Sequence, residues 1–376
     1  MGMPLFFAAA VAAAVAGSID PSGFNDSKHH WRSIKQPERV MQALPGQAAY
    51  QPEQVREIAA NLLLFQRDNG GWPKDYDMLA VLTEEQKKLI RDTRANRDTS
   101  FDNHNTHSQV DYLARAFGLL GDPALREACE RGFDFMLAAQ YPNGGFPQRW
   151  PKPTGIGAHI TFNDGVMMGI MNVLRAAATG APHFAWLDRA RQERAREAVA
   201  KGLDCILKMQ ITVGGGRTGW GQQHDEKTLA SAPARTFEPA CISPSETAEI
   251  VAYLIREERP SAAVVESVDA AVAWLKKVRL TGIRVQRVAA APVEYIRHRT
   301  DFDVVVVADA KAPPLLPRMV EIGTDRALFA SRDGVIAYSL AEIDRERRTG
   351  SGWYVGWPRK LIETEYPTWR AKVLTL

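Results

Sequence analysis

The 376-residue chain has little cysteine: three residues, too few for a disulfide framework. It has no strong excess of either charge. Forty-seven Lys and Arg stand against forty-four Asp and Glu, a formal net charge of +3. The basic residues are not gathered into a stripe, which argues against a nucleic-acid partner. Beyond the first twenty residues no run is apolar enough to span a bilayer, so no membrane partner is expected either. What the chain does have is an ordinary globular mixture, 45% hydrophobic and 24% charged, which excludes a disordered polymer. Its length suits one large domain or two small ones.

Leu5 to Ala16 is almost wholly apolar, and Ala14-Val15-Ala16 before Gly17 fits a small-residue cleavage site. Residues 1–16 therefore read as an export signal, although no Lys or Arg precedes the apolar run. The mature protein is expected to be periplasmic or secreted. Residues 17–50 are polar and carry Pro21, Pro37 and Pro45. They read as an irregular lead-in to one domain over residues 51–376.

A pattern then recurs three times. Leu62-Leu63-Leu64-Phe65-Gln66 is followed by Asn69-Gly70-Gly71-Trp72-Pro73, and Phe135 to Gln140 by Asn143-Gly144-Gly145-Phe146-Pro147. Cys205 to Gln210 is followed by Gly214-Gly215-Gly216 and Trp220. The three glutamines are 74 and 70 residues apart, so the segments mark three copies of one unit. Each copy holds two amphipathic helices. Val55, Ile58, Leu62 and Phe65 share one face, and Val110, Leu113, Phe117 and Leu120 another, stopped by Gly121. Asp122-Pro123 opens the second copy as a cap and a first-turn proline. Helix pairs of this kind stack or close into a ring. Beyond Trp274 the texture changes to strands, at Arg284–Val288 and Val304–Val307, and to a tail rich in proline and aromatics.

A polar cluster precedes the second helix of each copy: Asp102-Asn103-His104, Asn163-Asp164 and Ser243 to Glu246. Helix capping explains each cluster taken alone. Their shared position points three helix N-termini at one place, which favours an anionic ligand. Asp102 and Asp164 suit either of two roles. They could be the acid and base of an inverting glycosidase, or oxygen ligands for Ca²⁺, which the neighbouring Asn103 and Asn163 favour. His104 and His107 lack a zinc motif and read as supporting hydrogen-bonders. In the Trp220–Pro239 segment, Arg235 sits between two prolines. That loop suits either precise placement of a guanidinium for an anion or a structural pair with Glu238 or Asp225. Cys129 and Cys205 lie on apolar helix faces as buried thiols, and Cys241 has no supporting histidine motif.

The stretches QRDNGGWPKDYD, TSFDNHNTHSQVDYLARAF, QYPNGGFPQRWP, ITFNDGVM, WGQQHD and PARTFEP occur in this order, followed by RDGVIAYSLAEIDRERRTGSGWYVGWP. Together they resemble the pectate lyases of polysaccharide lyase family 10, from about Gln51 to about Trp369. Phe146 stands where that family commonly has tryptophan, Val355 interrupts a Tyr-Gly pair, and Glu294 to Thr300 reads as a small local insertion.

The resemblance implies a mainly α fold, an (α/α)₃ toroid with short β-strands in the C-terminal part, and a catalytic role for the domain over 51–376. It implies β-elimination on polygalacturonate. By resemblance Arg235 is the base, with its proton affinity lowered by calcium and nearby cations, and Asp102 and Asp164 hold Ca²⁺, helped by Asn103. Arg318, Arg332, Arg149 and Lys74 are expected to grip flanking uronates. Trp72, Trp150 and Trp220 are candidates either to stack on sugar rings or to pin their own loops. A monomer is expected. Two rivals stay open on the residues alone, an inverting glycoside hydrolase and a non-catalytic uronide-binding protein.

Overall fold

The computed structural model describes residues 17–375, so the expected export signal at 1–16 lies outside the described residues. The first repeat begins with α2 (Val55–Phe65), whose Val55, Ile58, Leu62 and Phe65 are all buried, as the periodicity requires. Its partner α4 (His107–Leu120) buries Val110 and Leu113 and ends at Gly121, which takes the left-handed conformation at φ 63°. Next come α5 (Pro123–Ala139), capped by the Asp122 side chain, then α6 (Val166–Ala178), α7 (Arg189–Met209), α8 (Pro244–Leu254) and α9 (Ala262–Lys277).

These helices form two tiers. In one, α4 touches α6 and α6 touches α8; behind it α2, α5, α7 and α9 follow one another in contact. Each front helix packs on the rear helix that follows it in sequence: α4 on α5, α6 on α7, α8 on α9. This is the toroid arrangement, with one continuous core running through it.

The recurrent glutamine has a mechanical explanation. Gln66 Nε2 donates to Gly70 O in its own loop at 2.9 Å and to Ala128 O on α5 at 2.8 Å. Gln140 does the same with Gly144 O and Ala198 O, and Gln210 with Thr218 O and Ser267 O. Each clasp ties a loop to a carbonyl in the interior of the next rear helix. The glycines are required by close approach. Gly70 and Gly144 sit at φ 94° and 97°, and a Cβ there would lie 2.6 Å from Arg131 O and 2.1 Å from Lys201 O.

Two parts of the fold depart from the sequence reading. The stretch read as an irregular lead-in holds α1 (Asn25–Ser33), which buries Trp31 beside Phe24. Ser27 Oγ donates to Asn103 O at 3.1 Å, so this helix leans on the loop before α4. A further helix, α3 (Glu84–Asp92), opens on a capping box formed by Thr83 and Gln86. In the C-terminal part the short strands are present: Leu316–Pro317 pairs with Tyr354–Val355, and Met319–Val320, Ala327–Ala330 and Ile336–Ala337 form a small sheet. They surround a second core of Met319, Leu328, Phe329 and Trp353. Beside them stands a long hairpin, Ile283–Glu294 against Arg299–Ala308. All three cysteines are buried free thiols, and no described helix is long and apolar enough to cross a membrane.

Candidate active site

The loops that enter α4, α6 and α8 open into one cleft of about 900 Å³. Lys74, Asp102, Asn103, Arg149, Asp164, Arg235, Arg318 and Arg332 all line it, so the structure brings the eight candidate metal, base and uronate-binding residues to one cleft. The backbone that delivers the acidic ones is strained. Asp75, Asn103, His104, Thr106 and Asp164 all have φ between 54° and 65°, a region non-glycine residues seldom occupy. Each such residue costs about 1–3 kcal/mol, and such clusters persist where surrounding packing over-determines them. Here the packing is tight. A Cβ on Gly165 would lie 2.3 Å from the His104 ring, and one on Gly169 would lie 2.2 Å from the His107 ring. Thus His104 and His107 are wedges under the two acidic loops. Burial lowers the proton affinity of both, His107 to about 3.

Asp102 and Asp164 line the same cleft, close enough for each carboxyl to shift the proton affinity of the other. Lys74 Nζ meets Asp102 Oδ2 at 2.5 Å, and Gln148 Nε2 donates to Asp102 Oδ1 at 3.1 Å. Burial opposes ionisation of Asp102, but the Lys74 ammonium outweighs it and holds the carboxyl below the usual carboxylate range. Asp164 goes the other way: burial first, then the charge of Asp102, push it well above that range. A proton on Asp164 therefore does what a cation would do, which is to relieve two neighbouring carboxylates. Two neighbouring carboxylates, Asp102 buried and Asp164 half-buried, open to a cleft that can admit further oxygens, fit a hard divalent cation. Asn103 gives its amide nitrogen to Asp75 Oδ1, so only its carbonyl oxygen is left to face a ligand.

The basic side of the cleft centres on Phe237. Three guanidinium groups lie over its ring, those of Arg347 at 3.9 Å, Arg235 at 4.8 Å and Arg332 at 5.1 Å. Arg235 makes a bidentate pair with Glu238, Nε to Oε2 at 2.7 Å and Nη2 to Oε1 at 2.5 Å. Asp225, the alternative partner, instead accepts from the backbone of Lys227 and Thr228. Burial would lower the proton affinity of Arg235, but Glu238 more than reverses this and raises it. The lowering expected from the sequence is that of the calcium-loaded site. Arg332 pairs with Glu346 at 2.8 Å, and Arg318 Nη2 and Nε face the Gln222 amide oxygen at 3.2 and 3.3 Å. Arg149 is exposed at the rim and packs along Gly157.

Sequence reasoning missed Arg347. Only 7% exposed, it lines the same cleft, donates to Ser351 Oγ at 2.7 Å and leaves its Nε without a partner. Burial pushes it down to about 10, and Arg332, Arg235 and Arg318 push the same way. The only available signal was its place in Arg345-Glu346-Arg347-Arg348, where three arginines look alike. Trp72 and Trp220 are fully buried and donate from Nε1 to Leu62 O and Ile206 O, so they pin their loops and do not stack on sugars. Among the described residues, one group of three His, Asp or Glu ligands lies close enough to share an ion, His159, Asp225 and Glu226. Asp102 and Asp164 are not part of it.

The sequence model of pectic acid lyases matches residues 66–362. The chain belongs to the pectic acid lyase family. It is accordingly a polysaccharide lyase. The chain is similar to the family 10 polysaccharide lyase from Cellvibrio cellulosa, with 26% identity and a TM-score of 0.69 over 90% of this chain and 99% of that one. It also resembles an aspartate-to-alanine mutant of that lyase in complex with trigalacturonic acid, with 24% identity and a TM-score of 0.70 over 93% of this chain and 99% of the other. No curated protein sequence matches the chain significantly.

Proposed function

We propose that this lyase cleaves polygalacturonate by calcium-assisted β-elimination in the cleft between Asp102, Asp164 and Arg235. The observation that carries the reading is that two neighbouring carboxylates, each disfavouring the charge of the other, and four arginines line one cleft. The trigalacturonic acid in the neighbouring lyase's complex supports the same substrate class. Calcium, when bound by Asp102 and Asp164 with Asn103 beside them, would neutralise the substrate carboxylate next to the reacting carbon as a Lewis acid.

The chain's own groups supply the rest. Arg318, Arg332 and Arg347 hold uronate carboxylates and stabilise the negative charge that grows as the C5 proton leaves. Arg235 as the neutral guanidine takes that proton and becomes a guanidinium; the C5–H electron pair becomes the C4–C5 double bond, the C4–O bond breaks with its electron pair leaving on oxygen, and that oxygen is protonated by water from the open cleft. An arginine is a poor base while Glu238 holds it protonated. The reading therefore requires the Arg235–Glu238 pair to loosen when substrate and cation enter, and an alkaline optimum follows. Lys74, Arg149 and the loop-pinning tryptophans frame the site. A polymer of this size is degraded outside the cell, which suits the apolar leader at Leu5–Ala16, and a monomer suffices because the cleft is complete within one chain.

The test is turnover of polygalacturonate read by the ultraviolet absorbance of the unsaturated product. It should be abolished by EDTA and restored by calcium, and fully methyl-esterified pectin should be a poor substrate. Saturated products, or activity unmoved by chelator, would indicate the inverting hydrolase; uronide binding without turnover would indicate a binding protein.

A further inference from the structure

The long hairpin is the one large element of the molecule that the reaction described above does not use. Its strands, Ile283–Glu294 and Arg299–Ala308, pair regularly from Ile283↔Ala308 to Ala289↔Phe302 and then lose register before Val293↔Thr300. Pro292 lies in that break. Irregularities of this kind bend a hairpin and re-aim its end. Beyond the bend the tip turns through Tyr295–His298, closed by Tyr295 N donating to His298 O at 2.8 Å.

The bent tip touches both sides of the cleft. On one side His298 Nε2 lies 2.9 Å from Thr349 Oγ1, and its ring lies over Gly350, where a Cβ would come within 2.8 Å of it. On the other side Glu294 forms an ion pair with Lys35, and Arg297 Nη1 donates to Lys35 O at 3.2 Å. Lys35 follows α1, whose His29 and His30 line the same cleft as Arg297 and His298. So the wall built by the N-terminal helix and the wall built by the tail are joined by this tip. The segment Glu294–Thr300 is also the stretch that the sequence reading sets apart as a small local insertion.

We infer that the tip Glu294–Arg299 is a strap that closes one end of the cleft, so that the enzyme engages a polygalacturonate at its chain end and not along its length. This rests on the proposed uronide-lyase reading. A chain passing through an open cleft can be cut anywhere, whereas a cleft shut at one end admits only as many residues as fit between the scissile bond and the strap. Arg297 and Arg299 face the closed end and supply cations for the terminal uronate. The strap is held on its N-terminal side by one exposed ion pair and one hydrogen bond, so small changes should release it.

The experiment compares viscosity loss with unsaturated product formed on long polygalacturonate, alongside turnover of trigalacturonate. The parent enzyme should lower viscosity slowly for each double bond made. Replacing Glu294–Arg299 by Asn-Gly joins Val293 to Thr300 through a two-residue hairpin loop. This variant should lower viscosity about tenfold faster per double bond and release longer early products, with helical circular dichroism unchanged and the KM for trigalacturonate raised because Arg297 and Arg299 leave with the tip. Lys35→Glu should move the same readout in the same direction by about two- to threefold, and Lys35→Glu with Glu294→Lys should restore it. If the shortened loop does not fold, the charge variants carry the test. Rapid viscosity loss by the parent, or an unchanged ratio in the folded variants, overturns the strap while leaving the lyase reading intact. A parent that forms no unsaturated product from either substrate overturns the lyase reading and the strap with it.

Discussion

The helical ring and the strand-rich tail meet at the cleft with opposite charge and different burial. The ring contributes Asp102 and Asp164 from loops locked by positive-φ residues and wedged by His104 and His107. The tail contributes Arg318, Arg332 and Arg347, of which Arg332 has a side chain 42% exposed. Arg235 belongs to the loop before α8, and its side chain is 56% exposed. Two neighbouring carboxylates repel each other, and cations packed about one phenyl ring do the same. Each wall is thus frustrated alone, and a divalent cation with a polyanion between them relieves both at once. On the proposed reading the rigid side would hold the cation, and the exposed side would meet a charged polymer arriving from water.

Breaking the basic side at its centre should have the largest effect. Arg235→Ala should lower kcat by about three orders of magnitude or more, since it removes the proposed base and a cation together. Arg235→Lys keeps the charge on a group that deprotonates more easily but loses the planar fork held by Glu238. If placement decides, the lysine variant is almost as inactive while still binding trigalacturonate with calcium, as isothermal titration would read. Near-normal turnover by the alanine variant would make Arg235 structural, with its Glu238 pair as the whole of its role.

Breaking the acidic side should cost somewhat less and in a different currency. Asp164→Ala and Asp102→Ala should each reduce turnover by about 100-fold and raise the calcium needed for half-activity, with helical circular dichroism unchanged. The two are not equivalent. Removing Asp102 leaves Lys74 facing Asp75 at 3.7 Å as its remaining carboxylate, whereas removing Asp164 takes away the group that carries the relieving proton. Asp164→Asn should therefore keep the fold and melt no lower than the parent in EDTA, yet lose the calcium-dependent rise in melting temperature. Full activity of both alanine variants at micromolar calcium would detach the metal from this pair.

The same contrast marks what could be read from the chain. The ring was legible because its elements repeat: apolar residues at helical spacing, a terminal glutamine, a glycine-aromatic loop and a polar cluster before the next helix. Those local rules converge, so Asp102 and Asp164 could be located by position alone. What the glutamines do was not legible, because each joins its loop to a helix about sixty residues away. α1 was hidden because it buries little beyond Trp31 and offers no apolar stripe, so its place depends on a tertiary contact with the Asn103 loop. In the tail, short strands and many arginines carry no periodicity that separates Arg347 in the cleft from Arg348, which pairs with Asp303 outside it. That Glu238 and not Asp225 is the partner of Arg235 was likewise left open by the sequence, because only the folded loop shows which carboxylate meets Nε and Nη2.

The smallest effect sharpens the contrast by acid. The ring side buries two neutral imidazoles, His107 on α4 and His224 beneath the α6 loop, lowered by burial to about 3 and about 4. His224 has one nitrogen 2.8 Å from Leu229 O, and its Nε2 accepts from Gly221 N at 3.0 Å, an arrangement only the neutral ring can make. Both groups have folded values below the ordinary value of about 6.5. Between those limits the unfolded chain binds protons that the folded chain refuses, so stability rises with pH through the window and is fully present above about pH 6.5. Together they should add roughly 2–3 kcal/mol to the slope per pH unit between pH 4 and 6. Asp164 and Glu249 are raised by burial and oppose this trend over the same window, so the readout is the variant against the parent. In His224→Gln the urea midpoint should be lower at pH 7, but stability should change between pH 7 and pH 5 less unfavourably than in the parent, by about 1.4 kcal/mol per pH unit, because one proton no longer distinguishes folded from unfolded. An unchanged slope would mean that acid unfolding is driven from elsewhere, with the carboxylates paired to the arginines of the tail the next place to look.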